Sequence, residues 1–113
     1  MKPDDKIRIM HMIDAAEEAL FFVADSSGEN FSKNRMLILS VIKEIEIIGE
    51  AATKISEITK RNYAEIPWQD IVGMRNRLIH SYFDVDVKLV WNTVKNNLPT
   101  LIESLKEIIQ GEK

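Results

Sequence analysis

The chain has 113 residues, of which 45% are hydrophobic, with a formal net charge of -3 and no cysteine. We expect a single domain over residues 1–113 with a buried core that needs no disulfide. The negative charge excludes a protein that coats nucleic acid through bulk positive charge, so an RNA contact needs a local patch. We expect a cytoplasmic protein, because there is neither an apolar signal core nor a run of about 20 apolar residues.

The first predicted helix runs to about Ala24, with Asp4 or Asp5 as its cap. Apolar residues recur along it at helical spacing and give it one buried face. His11 lies in this helix and has two interpretations. It is either a second active-site imidazole or, as we favour, a residue at the edge of the core, because the sequence offers it no partner. Turn-forming residues at positions 25–30 end the helix.

A long second helix is predicted from about Lys33 to Arg61, with Ser32 as its N-cap. At 1.5 Å per residue this helix would be roughly 40 Å long. Its middle is apolar on more than one side, which indicates either a fully surrounded helix or one that packs against a partner chain. Gly49 weakens a helix and therefore indicates that another helix approaches closely at this position.

The second half of the chain continues the helical pattern. A short third helix begins near Pro67, residues 81–85 turn the chain, and Asp84 or Asp86 caps a fourth helix with a long apolar stripe. Pro99 lies within that stripe and predicts either a kink or the start of a new segment. No strand pattern is present. The predicted fold is therefore all-α, an antiparallel four-helix bundle with a long second helix and a kinked last helix.

The segment from Gly73 to Tyr82 holds the side chains that are best suited to chemistry. Arg75 offers a permanent charge and a planar set of donors that fits phosphate oxygens. His80 can move protons near neutral pH, and Asn76 can both donate and accept hydrogen bonds. Together these residues suit the handling of a phosphodiester. The alternative is that Arg75 and His80 are only cations at a helix C-terminus, where the helix dipole favours positive charge.

The spacing of these residues limits how they act together. In one regular helix Arg75 and His80 would point about 140° apart, whereas Asn76 and His80 would share a face. The site therefore needs either a helix that ends near His80 or a second copy of the chain, which favours a homodimer with a composite cleft. Glu50, in the second helix, either orients Arg75 or belongs to a solvated flank.

The motif and its surroundings resemble the HEPN domain, specifically its HepT-like branch. The family motif is an arginine, a polar residue, three variable residues and a histidine, with a tyrosine two residues later. The resemblance covers essentially the whole chain and is carried by Ile48-Gly49-Glu50-Ala51-Ala52, Pro67-Trp68, Ile71-Val72-Gly73, Arg75-Asn76, His80-Ser81-Tyr82 and Phe83-Asp84-Val85-Asp86.

This resemblance implies the toxin of a toxin–antitoxin pair, whose antitoxin is a minimal nucleotidyltransferase. It implies a metal-independent endoribonuclease, without a cofactor, that uses the 2′-hydroxyl of RNA as its nucleophile. His80 would then move the proton, Arg75 would stabilise the developing charge, and Asn76 would orient His80 or a phosphate oxygen. It also implies that the antitoxin transfers AMP to Tyr82, which would place bulk and negative charge beside the site.

The residues themselves disfavour a metal enzyme, since no Glu-x-x-His pair is present and His11 and His80 share no ligand spacing. Two other classes stay open. One is a HEPN module without catalysis that binds RNA or partners a nucleotidyltransferase, and the other is a structural dimer without a ligand. RNA cleavage that is lost in His80→Ala would separate the nuclease from both.

Overall fold

The computed structural model describes residues 1–81 and 84–112, and for His80 and Ser81 it describes the backbone alone. The chain is all-α apart from two short strands. The elements in chain order are α1 (Pro3–Val23), α2 (Gly28–Lys33), α3 (Arg35–Thr53), α4 (Glu57–Asn62), α5 (Trp68–Leu78), β1 (Ile79–Ser81), β2 (Asp84–Val85), α6 (Val87–Asn92), a π-helical segment (Thr93–Asn97) and α7 (Leu98–Gly111). Within the described ranges, no helix is long and apolar enough to cross a membrane.

Helix α1 covers the residues that the apolar spacing predicts, and it ends at Val23 rather than at Ala24. Its N-terminus differs from the prediction, because Lys2 is the N-cap and neither Asp4 nor Asp5 caps the helix. Pro3 occupies the first helical position, which suits proline because the N–H at that position has no partner within the helix.

Asp5 holds α1 against the start of α4. Its side chain is only 3% exposed and accepts hydrogen bonds from the Ser56 backbone N–H at 3.0 Å, the Ser56 hydroxyl at 2.5 Å and the Thr59 hydroxyl at 2.7 Å. Burial raises the pKa of Asp5, but these hydrogen bonds outweigh it and hold the pKa below the ordinary value of 3.8. The stability that Asp5 contributes is therefore present above that value and is lost as the pH falls below it.

Replacing Asp5 with alanine is expected to lower the free energy of unfolding by about 2–3 kcal/mol, because three donors lose their acceptor in a buried contact. For a chain of this length this corresponds to a melting temperature roughly 10 °C lower, measured at pH 7. Asp4→Ala is the matched control, since Asp4 is exposed in the same helical turn. An equal loss in both variants would contradict the role given to Asp5.

The predicted long second helix is wrong, because two helices, α3 and α4, occupy its span, and a further helix, α2, begins at Gly28 within the predicted break at positions 25–30. Asn34, not Ser32, caps α3, and its side chain accepts a hydrogen bond from the Leu37 N–H at 3.1 Å. Ser32 lies within α2, where its hydroxyl donates to the Glu29 carbonyl. Both are good capping residues, so propensity alone does not decide between them.

Helix α3 also ends earlier than predicted, at Thr53. After this residue Ile55 enters the core and Ser56 donates to Asp5, so contacts with α1 outweigh the local helical preference. Its 19 residues make α3 about 28 Å long instead of the roughly 40 Å that the sequence predicts.

The predicted irregularity at Pro99 is present, but it begins earlier in the chain. A π-helical turn covers Thr93–Asn97, in which the Leu98 N–H donates to the Thr93 carbonyl, five residues back. Pro99 lacks an N–H, and its ring would clash with the carbonyl four residues earlier in a regular helix. We infer that the wider π-helical turn accommodates the proline at the start of α7.

Two short strands follow α5, although the sequence shows no strand pattern. β1 pairs antiparallel with β2, with Ile79 opposite Val85. The Asp86 N–H donates to the Leu78 carbonyl at 2.9 Å, and the Asp86 side chain then caps α6 as predicted. Strands of two or three residues are too short to show an alternating pattern of apolar and polar residues.

Helix α3 is the centre of the core, since it packs against both α1 and α5, and α1 also packs against α7. This position explains the buried apolar sides of α3, whereas Met36, Leu39 and Ile47 of the same helix are exposed. The arrangement of the helices as an antiparallel four-helix bundle stays a prediction. The largest fully buried side chains are Phe31, Ile9, Met12, Ile45, Ile48, Ile71, Leu78, Leu98, Leu105, Val23, Val41 and Val90.

Gly49 brings α5 close to α3. A Cβ atom at this position would lie 3.4 Å from the Ile71 carbonyl oxygen and 3.6 Å from the Val72 carbonyl oxygen. The predicted close approach of another helix at Gly49 is therefore confirmed. This contact fixes the spacing between α3 and the helix that carries Arg75 and Asn76.

Candidate active site

Helix α5 carries Arg75 and Asn76, and its N-terminal end is held in the core. It follows Pro67, which is its N-cap, and Trp68 is buried, with its indole N–H donating to the Tyr63 carbonyl at 3.1 Å. Trp68 is therefore a core residue. Further along, Ile71, Met74 and Leu78 are buried, which fixes the rotation of the helix about its axis.

The helix ends at Leu78, and the chain continues as the extended strand β1, so His80 lies two residues beyond the helix end. This is the first of the two arrangements that the spacing of Arg75 and His80 requires. Asn76 is exposed in the last turns of α5, and it does not share a helical face with His80, because His80 is not helical. Tyr82, the expected AMP acceptor, lies outside the described residues.

Arg75 is fixed by a carboxylate from α3. Its Nε donates to Glu46 Oε1 at 2.9 Å, and the two side chains are 38% and 33% exposed. Among the described residues, the two terminal amino groups of Arg75 make no hydrogen bond or ion pair. The planar fork of donors is therefore oriented at one edge and available to an anionic ligand at the other.

Glu50 does not take the place expected for it. It lies one helical turn further along α3 than Glu46 and pairs with Lys54, with 3.6 Å between Nζ and Oε1. Glu46 contacts Arg75 instead. Residues four apart share a helical face, so the sequence identifies the correct face of α3 and the wrong turn. The four-residue spacing between Glu46 and Glu50 is the sequence feature from which Glu46 could also have been proposed as the partner of Arg75.

The second arginine of the segment belongs to its own helix. One terminal nitrogen of Arg77 donates to the Asp70 carbonyl at 2.9 Å, and the other lies 3.9 Å from the Asp70 carboxylate. Arg77 therefore has intrahelical partners, whereas Arg75 is held by α3. Within the described ranges, no group of three or more His, Asp or Glu side chains could hold a metal ion.

A cleft of about 600 Å³ adjoins Arg75, because Glu46 forms part of its wall. α1 and α3 supply the walls of this cleft. The lining residues are Asp4, Ile7, Arg8, His11, Lys43, Glu46, Ile47, Glu50, Ala51 and Lys54. His11 is exposed at this wall rather than half-buried at the edge of the core. The sequence analysis did not single out Arg8 or Lys43.

A family model described as "Ribonuclease HepT-like" matches residues 12–108. The chain belongs to the HepT-like ribonuclease family. The resemblance that the motif indicates is therefore confirmed, and the match includes Arg75, Asn76 and His80.

Curated relatives of this HepT-like chain cover nearly its full length. It is 35% identical over 103 residues to "Putative RNase TTE0752" of Caldanaerobacter subterraneus subsp. tengcongensis, covering 91% of this chain and 92% of the relative. It is 39% identical over 101 residues to "Probable ribonuclease HepT" of Thermococcus cleftensis, covering 89% and 92%. It is 35% identical over 100 residues to "Putative RNase MJ1380" of Methanocaldococcus jannaschii, covering 88% and 92%. No solved structure matches the chain.

Proposed function

We propose that this HepT-like protein is a metal-independent endoribonuclease, in which the 2′-hydroxyl of RNA attacks the adjacent phosphodiester. The observation that carries the proposal is the oriented guanidinium of Arg75, held by Glu46 beside the point where α5 ends and the strand with His80 begins. An oriented donor fork at an exposed helix end suits a phosphate group. The names of the relatives support RNA as the substrate class.

The chemistry follows from the residue types. His80 removes the proton from the 2′-hydroxyl, whose oxygen forms a bond to phosphorus while the bond to the 5′-oxygen breaks. Arg75 stabilises the charge that develops on the phosphate oxygens, and Asn76 orients His80 or one of these oxygens. The leaving 5′-oxygen takes up a proton from water and His80 returns its proton to the solvent, so the products are a 2′,3′-cyclic phosphate and a 5′-hydroxyl.

We also propose that the protein acts in the cytoplasm as the toxin of a toxin–antitoxin pair, with a minimal nucleotidyltransferase as its antitoxin. The antitoxin would transfer AMP from ATP to the Tyr82 hydroxyl, with release of pyrophosphate. Family membership and the tyrosine two residues after His80 support this proposal. The added phosphate would repel RNA close to the catalytic residues.

A homodimer, built on an antiparallel four-helix bundle in each copy, completes the proposal. Met36 and Leu39 lie on one face of α3 and are 81% and 45% exposed, and Phe21 near the end of α1 is 78% exposed. Large apolar side chains that are exposed to solvent favour contact with a second copy. A composite cleft between the two copies would then hold the RNA.

The deciding experiment compares three oligonucleotides of one sequence, in EDTA, with freshly purified protein. The first is RNA, the second is DNA, and the third is RNA with 2′-deoxy sugar at the mapped cleavage position. We expect cleavage of the first alone at that position, with a cyclic phosphate end, because only this substrate carries the nucleophile. Protein with His80→Ala, prepared in the same way, controls for a contaminating nuclease.

The outcomes separate the two main hypotheses. Cut DNA, or a cut at the 2′-deoxy position, would contradict the proposed mechanism. RNA that is bound but not cut would favour the module without catalysis, provided that mass spectrometry shows no nucleotide on Tyr82. An AMP adduct on Tyr82 in uncut samples would agree with the antitoxin proposal, and cleavage should return once a phosphodiesterase removes it.

A further inference from the structure

The cleft between α1 and α3 has the size and the composition of a ligand site. Its volume of about 600 Å³ lies within the range of roughly 300–1,000 Å³ that is typical of small-molecule pockets. Ile7 and Ile47 provide apolar wall, whereas Arg8, His11 and Lys43 provide donors. A nucleotide combines an apolar base face with a charged phosphate and would match both kinds of wall.

Two of the three cations that line the cleft, Arg8 and Lys43, form no ion pair with a described residue. Glu46 is neutralised by Arg75 and Glu50 by Lys54. The remaining charged residues of the lining are Asp4, Arg8 and Lys43, and none of these forms an ion pair with a described residue. The lining carries three cations and three carboxylates and is formally neutral, but Glu46, Glu50 and Lys54 are already paired. Arg8 and Lys43 are therefore the cations of this surface that can contact a phosphate, whereas the chain as a whole carries -3.

One side-chain nitrogen of Arg8, Nε, lacks a hydrogen-bond partner among the described residues, although it is itself inaccessible to solvent. A buried polar group without a partner costs free energy, so such a group in a folded protein calls for an explanation. The side chain lines the cleft, where an anionic oxygen could accept from it.

We infer that this cleft binds a nucleotide next to the scissile phosphate of the RNA, with Arg8 and Lys43 holding its phosphate and His11 contacting its sugar or base. The inference rests on the proposed function and extends it to a second part of the same surface. Glu46 connects the two parts, because its carboxylate both lines the cleft and accepts from Arg75. A single strand that lies in the cleft therefore passes directly beside the motif arginine.

The test measures the affinity of a fluorescent single-stranded RNA for protein that carries His80→Ala, so that the RNA stays intact. In this background, Arg8→Gln/Lys43→Gln is compared with Lys33→Gln/Lys106→Gln. The control removes the same charge from two exposed lysines that form surface pairs outside the cleft. We expect the cleft variant to bind on the order of tenfold more weakly than the control at 0.1 M salt.

The salt dependence gives an independent readout. Loss of two phosphate contacts lowers the slope of log affinity against log salt concentration by about 1.4 for a single strand. In otherwise wild-type protein, the cleft variant should raise KM about tenfold and change kcat less than threefold, because these residues bind RNA away from the reacting atoms. Melting temperatures of both double variants verify that they are folded.

Three results would overturn the inference. The first is equal affinity and equal salt slope in the cleft variant and the control. The second is a cleft variant that dissociates into monomers with unchanged RNA affinity, which would make the cleft a protein interface. The third is a lack of RNA binding by any variant. If RNA is not cut by wild-type protein but the cleft variant still binds it more weakly than the control, the cleft is supported and the nuclease proposal fails.

Discussion

Replacing His80 with alanine is expected to lower kcat/KM for RNA cleavage by a factor of about 100 to 10,000, which is the usual contribution of a general acid–base residue. Arg75→Ala is expected to lower it by about 100 to 1,000, because the charge on the phosphate oxygens then loses its oriented donors. Binding of uncut RNA should change much less in His80→Ala than in Arg75→Ala. Gel-based rates with one defined RNA substrate measure both effects.

The role of Glu46 in holding Arg75 can be tested separately from the role of Arg75 itself. The carboxylate of Glu46 holds the Arg75 guanidinium in an ion pair of 2.9 Å, so Glu46→Gln should lower kcat/KM about tenfold by freeing the guanidinium. The double variant Arg75→Ala/Glu46→Gln should be no slower than Arg75→Ala alone, since Glu46 acts through Arg75. Glu50→Gln is the matched control, one turn further along the same helix face, and should leave kcat nearly unchanged.

A result in which the losses of Arg75→Ala and Glu46→Gln multiply in the double variant would contradict this arrangement. It would mean that Glu46 has a separate role, for example in the adjoining cleft. Equal activity of wild type and His80→Ala would instead remove His80 from the mechanism. In that case the alternative that Arg75 and His80 are only cations at a helix end would gain support.

The sequence predicts the motif helix better than the helix that faces it. Three buried apolar residues and Pro67 define the position and rotation of α5, and these are local signals. The length of α3 depends on Asn34 at one end and on the contact between Ser56 and Asp5 at the other. The latter contact joins residues 51 positions apart, which no local pattern reveals.

The partner of Arg75 illustrates the same limit at the site. Glu46 and Glu50 are equivalent by helical periodicity, and only the packing of α3 on α5 distinguishes them. At Gly49 the two helices lie within van der Waals range, since a Cβ atom there would be 3.4 Å from the Ile71 carbonyl oxygen. Similarly, Arg8 and Lys43 come together only when α1 lies beside α3. Residue spacing thus predicts which side chains share a face of a helix. Contacts between helices determine which of these side chains reaches the site.

The pKa of Glu44 is shifted in the opposite direction to that of Asp5, so its effect on stability changes with pH in the opposite sense. Glu44 lies on α3 and is 5% exposed, and its Oε2 has no hydrogen-bond partner among the described residues. Burial raises the pKa of Glu44 to about 7, and a hydrogen bond and charge repulsion from Glu18 add to the effect. The carboxyl group is therefore protonated in the folded protein at a pH at which it is already ionised in the unfolded chain.

The sign of the pH dependence follows from this difference. The folded state binds the proton more tightly, so Glu44 stabilises the fold below its ordinary pKa of 4.5 and this contribution is lost as the pH rises to about 7. A pKa shift of that size corresponds to a change of about 3 kcal/mol in the free energy of unfolding. Asp5 acts in the acidic range below its ordinary pKa, so its contribution stays constant between pH 5 and pH 8.

Glu44→Gln is therefore expected to raise the free energy of unfolding at pH 8 by about 2–3 kcal/mol, and the gain should shrink towards pH 5. Glutamine keeps the shape of the side chain and can donate to the Glu18 carboxylate without an ionisation cost. Urea unfolding at pH 5, 6, 7 and 8 measures the difference, with Glu103→Gln as a control at an exposed position. A constant difference between Glu44→Gln and wild type across this range would show that the carboxyl group of Glu44 does not titrate between pH 5 and pH 8.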